Sequence, residues 1–101
     1  MGDMILKNNL NDFQLVINND FIIYQDLKRR FEVKFPYSNI DYVSFDKMEK
    51  RNGWTRRLGV TIELIRPQSG LTEPYIDMIF EGCFMDYDIS KIEQFIEDKI
   101  D

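Results

Sequence analysis

The chain has 101 residues, with 13 Lys or Arg, 18 Asp or Glu and no His, for a net charge of −5. It is sized for one domain over residues 1–101 and lacks the usual neutral-pH base and the usual zinc ligand. Ten basic against eight acidic residues give the first 57 positions +2, and three against ten give the rest −7; this overall acidity disfavours nucleic acid as a partner.

The lone Cys83 rules out an intrachain disulfide and points to a reducing, cytoplasmic setting. No apolar run approaches the roughly 18 residues of a membrane span. Met4-Ile5-Leu6 is too short for a leader. Gly2 fails the myristoylation pattern, because position 6 is Leu6 rather than Ser or Thr.

Strand patterns fill residues 4–81. Residues 4–7 make a short first strand, and the Asn- and Asp-rich stretch 8–12 reads as a turn. Residues 13–17 and 21–24 form a hairpin across Asn18-Asn19-Asp20. Lys28, Arg29 and Arg30 make a charged corner before the strand at 31–35, where Phe31, Val33 and Phe35 alternate with Glu32 and Lys34. Pro36 closes that strand or lies on a sheet edge. After a bend at 38–41, a strand runs from 42 to about 48. Asn52-Gly53 is the strongest turn signal in the chain, since a type I′ turn needs positive φ at both positions.

Strands at 58–65 and 75–81 then flank a loop with Pro67, Gly70 and Pro74. Cys83 reads as a small buried hydrophobe at a strand end. Ile89, Ile92, Phe95, Ile96 and Ile100 recur at helical spacing, which predicts an amphipathic helix over about 88–100. Asp88 suits its N-cap, with Tyr87 and Ile92 as a hydrophobic staple; Ser90 with Glu93 is a competing capping box. Packing of the stripe on the chain's own sheet is the favoured use, with Phe95 and Ile92 completing the core. The fold class is therefore mostly β: antiparallel strands in a barrel or strongly bent sheet, closed by one C-terminal α-helix.

The element order, together with Phe35-Pro36-Tyr37-Ser38-Asn39-Ile40-Asp41-Tyr42-Val43, resembles bacterial pleckstrin-homology-like and GRAM-like domains. The resemblance runs from about residue 13 to residue 100. It implies a barrel plugged by the final helix, and a module that binds or assembles rather than catalyses. Phosphoinositide-binding members carry Lys and Arg around the first hairpin loop. Here neither 18–20 nor 8–12 offers such a clamp, so those roles do not transfer.

No nucleophile–base pair stands out, and a catalytic Cys83 would want a His. The chain is expected to be non-enzymatic, without catalytic residues, metal site or cofactor. The acids Glu81, Asp86 and Asp88 match no cation-binding loop. The best contact candidate is the basic hairpin 47–57, with Lys47, Lys50, Arg51, Trp54, Arg56 and Arg57 and one acid, Glu49. Trp and Arg are favoured at interface hot spots. The same group suits anionic lipid headgroups beside an interfacial Trp. A bland alternative, a solvated hairpin with Trp54 folded onto the sheet, weighs about evenly with these. A protein partner is the first expectation and a membrane surface the second, for a monomer or small homo-oligomer. Usage rich in Asn, Ile, Lys and Asp points to an AT-rich genome, bacterial or phage-derived.

Overall fold

The computed structural model describes residues 3–100, so Gly2 lies outside it. Strands β1 (Met4–Lys7), β2 (Phe13–Ile17), β3 (Phe21–Asp26) and β4 (Phe31–Pro36) form one antiparallel sheet in chain order. Strands β5 (Ile40–Arg51), β6 (Trp54–Leu64) and β7 (Tyr75–Met85) form a second. A 3-10 turn at Tyr37–Asn39 joins them, and helix α1 spans Asp86–Ile100. The architecture is mostly β with a terminal helix, as the pattern predicts. The strands are divided four and three, and among the described residues no ladder closes them into one barrel.

Register explains the core. Antiparallel pairing lines up Leu6, Leu15, Tyr24 and Val33 across the first sheet, and Met4, Ile17, Ile22 and Phe35 beside them. In the second sheet Val43, Ile62 and Ile76 align, as do Phe45, Val60 and Met78. Paired residues share a face, so each row presents apolar groups to one side. Phe35, Ile22, Leu58, Ile62 and Phe80 are fully buried between the sheets. Each such side chain contributes about 1.5–3 kcal/mol through burial.

The helix covers this core with Ile89, Ile92 and Ile96. Ile96 is 2% exposed and is the deepest residue of the second helical half. Phe95, expected to point inward, is only partly buried and carries Lys99 Nζ over its ring at 5.5 Å.

The helix begins two residues before the expected start. Asp88, Ser90 and Glu93 therefore lie inside it, and neither expected cap forms. Strand β7 passes into α1 without a loop, because the Asp86 N–H has a partner outside the helix, donating to the Gly53 carbonyl at 2.9 Å. Tyr87 is exposed, with Lys91 Nζ 5.4 Å from its ring centre, so it does not staple Ile92.

Strands β5 and β6 run all the way to their turn, to the last pair Arg51–Trp54, rather than stopping at 48 and starting at 58. Asn52 and Gly53 take φ of 50° and 82°, the positive values a two-residue hairpin turn needs. Ile65, expected inside a strand, lies beyond β6 and is exposed. At the opposite end of the hairpin, Asn39 anchors the start of the 65–74 loop: its carbonyl accepts from Ile65 N–H and its side-chain oxygen from Arg66 N–H. The Tyr37 hydroxyl donates to the Asn18 carbonyl at 2.8 Å. Burial pushes the Tyr37 pKa up to about 12, with Asp20 adding to the rise.

Candidate functional site

Strict alternation would leave one residue between two inward side chains on β6. Thr55 and Leu58 are both buried, yet two residues, Arg56 and Arg57, stand exposed between them. The ladder shows why. Thr55 pairs with Phe84 and Arg57 with Glu81, so Gly82 and Cys83 together oppose Arg56. This is a β-bulge on β7, and bulges re-aim the side chains around them. On the other flank Glu49 takes a left-handed φ of 52°. The readable signal was Gly82, since a glycine inside a strand often marks a bulge.

Cys83 is exposed on β7 rather than buried at its end, on the outward parity that Ile79 and Glu81 share. Beside the bulge opens a cleft of about 730 Å³ walled by Arg51, Trp54, Arg56, Cys83 and Asn9. Trp54 is 40% exposed there, so its ring is neither folded away nor fully solvated.

The six basic and aromatic residues of the expected hairpin site are thereby sorted. Arg51, Trp54 and Arg56 share the cleft. Arg51 and Arg56 form no ion pair among the described residues, where Lys50 and Arg57 do. Arg57 donates to Glu81 Oε1 at 2.9 Å across the exposed face. Lys50 Nζ stands 4.0 Å from Asp86 Oδ2. Lys50 does wall an adjoining polar cleft together with Arg51 and Arg56. Lys47 pairs in register with the buried Leu58, which puts it on the inner face and half-buried, away from the cleft.

Asp86 fixes the hairpin to the helix. Its backbone N–H meets Gly53, and its carboxylate accepts from the buried Thr55 hydroxyl at 2.6 Å. Asn8 fixes the opposite wall. It is buried, its side-chain oxygen accepts from Glu81 N–H at 2.8 Å, and its side-chain NH₂ donates to Asp12 at 2.7 Å. That donation holds the Asp12 carboxyl below its ordinary pKa. The Asn9 N–H donates to the Glu81 carbonyl at 2.8 Å, next to the bulge. The 8–12 loop also meets the corner at 27–30, where the Asp12 carbonyl accepts from Leu27 N–H. At that corner Asp26 Oδ1 accepts from the N–H groups of Lys28 and Arg29, and Arg30 takes a left-handed φ of 57°.

Sequence reasoning missed Asn9, Gly82 and the outward Cys83 as parts of the cleft. No group of three or more His, Cys, Asp or Glu is placed to hold a metal among the described residues, and no helix there is long and apolar enough to cross a membrane. Comparison with protein-family models, with curated proteins and with solved structures finds no match.

Proposed function

We propose that this protein is a non-enzymatic interaction or assembly module of pleckstrin-homology-like type, making contact through Arg51, Trp54 and Arg56 at the end of the β5–β6 hairpin. The carrying observation is the cleft, in which an exposed indole lies between two guanidinium groups that no carboxylate neutralises among the described residues. Trp and Arg offer large contact area and directional donors, which is why they dominate interface hot spots. The wall is ordered in advance by Asp86 and Asn8, which lowers the entropy lost on binding. The four-plus-three strand order ending in one helix supports the family reading.

The test is alanine replacement of Arg51, Trp54 and Arg56 together, with folding checked by circular dichroism. Affinity capture with the parent should recover partners that the triple variant loses. Recovery of the same partners at unchanged affinity would place the contact elsewhere.

The exposed indole beside cations also favours a second reading, peripheral contact with anionic lipid. Each Lys or Arg near such a surface contributes roughly 1 kcal/mol. Sedimentation with phosphatidylserine vesicles that weakens as salt rises would support it. Glu49 and Glu81 border the adjoining cleft and the second half of the chain is strongly acidic, so this reading ranks lower.

A further inference from the structure

The cleft continues into a second space. Beyond Trp54 and Cys83, which border both, lies an apolar recess of about 190 Å³ whose walls include Ile5, Leu6, Phe84, Ile89 and Ile92. Ile5 and Leu6 are consecutive strand residues and point to opposite faces of the first sheet. A recess touching both must lie along the edge of β1. Among the described residues that edge is unpaired, with β2 the only hydrogen-bonded neighbour of β1. The bulge explains the gap. The 8–9 turn is bonded to Glu81, and past that point β7 bulges at Gly82 and Cys83 before the chain enters α1.

Three features therefore meet in one line: an open strand edge, an apolar recess and a basic cleft. A free edge offers backbone donors and acceptors to an added extended chain, while side pockets select among its residues. An engineered apolar cavity of about 150 Å³ holds benzene, so a recess of this size takes one aromatic or branched side chain. Ile5, Trp54 and Met85 are each 40–49% exposed around its mouth and would be covered by such an occupant. Among the described residues Arg51 and Arg56 are the only charged ones on the cleft wall, which calls for carboxylates there. Asp88 is the only charge on the recess wall among the described residues, and it repels a carboxylate at that end. The site is thus polarised.

Resting on the interaction-module reading, we infer that the groove along β1 binds an extended peptide segment of a partner protein. One apolar side chain of that segment fills the recess between β1 and α1. Neighbouring acidic residues lie past Trp54 against Arg51 and Arg56.

The chain supplies its own probes, having a single Trp and a single Cys, and both border the groove. A random-peptide display library is selected on the full-length protein, and enriched peptides are synthesised. Enriched sequences should carry an aromatic or branched apolar residue next to two or more acids. Their binding should shift Trp54 emission and slow alkylation of Cys83 by N-ethylmaleimide in step with occupancy. Protein already alkylated at Cys83 should not bind them. The Arg51→Glu/Arg56→Glu variant, altered only at exposed positions, should bind about tenfold or more weakly, the equivalent of ~1.4 kcal/mol.

Enriched peptides without acids, or binding unaffected by Cys83 alkylation, would overturn this inference. If such peptides still shift Trp54 emission, the interaction-module reading survives. Failure of any peptide to enrich, with or without binding to phosphatidylserine vesicles, would overturn the inference. If the vesicles alone shift Trp54 emission, the module reading falls with it in favour of lipid.

Discussion

Thr55 and Asp86 are 31 residues apart and share a hydrogen bond of 2.6 Å, from a fully buried hydroxyl to a carboxylate at the start of the closing helix. The bond ties the β5–β6 hairpin to α1 and sets the position of Trp54, one residue away from Thr55. Bonds to charged acceptors contribute more than neutral ones, about 1.5–3 kcal/mol. Thr55→Val keeps the shape and removes the donor, and should lower stability by about 1–3 kcal/mol in urea unfolding. Thr55→Ser should recover most of the loss. An unchanged midpoint for Thr55→Val would show that the bond contributes nothing.

The helix offers a second comparison. Ile96 is buried in the core, Phe95 sits at its margin and Glu97 is exposed. Ile96→Ala should cost about 2–5 kcal/mol. Phe95→Ala should cost less than the ~3–5 kcal/mol of a fully enclosed ring. Glu97→Ala should stay within about 0.5 kcal/mol. Equal urea midpoints for the Ile96 variant and the parent would mean that α1 does not cover the sheets.

Gly53 isolates a backbone effect. A Cβ built there meets nothing within 4 Å, so any penalty for Gly53→Ala comes from its φ of +82° alone. An L-residue in that region is disfavoured by roughly 1–2 kcal/mol. Thermal unfolding of Gly53→Ala should show a loss of that order; no loss would mean that the turn has rearranged.

Tyr37 gives a pH dependence. Its pKa is about 12 in the folded protein, and about 10 is expected in the unfolded chain. The neutral form is favoured by folding, so its contribution is complete below pH 10 and lost as pH rises towards 12. The Tyr37→Phe variant also lacks the bond to Asn18, worth about 1 kcal/mol. The parent's advantage over Tyr37→Phe should be constant near pH 8 and shrink between pH 10 and 12. Parallel stability profiles through that window would contradict the assignment. Tyr24, whose pKa burial also raises, is present in both proteins and cancels in the comparison.

Local pattern alone determined the strands around Leu15, Val33 and Val60, the Asn52-Gly53 turn and the apolar stripe of α1. Alternation, positive φ and helical spacing are properties of neighbours in the chain, and they survive whatever surrounds them. The basic hairpin was legible as a composition. Which of its cations are available was not: Arg57 is engaged by Glu81, 24 residues later, and Lys50 stands beside Asp86, 36 residues later. Helix α1 starts early for the same kind of reason, because the partners of Asp86 are Gly53 and Thr55 on another element. The exposure of both Arg56 and Arg57 and the recess beside β1 follow from one extra residue in the β6–β7 register, whereas the outward Cys83 simply continues the alternation of β7. Register is decided by pairing between distant segments and by how the two sheets and the helix close over one core. Only the tertiary structure could therefore join Arg51, Trp54, Arg56 and the edge of β1 into one groove.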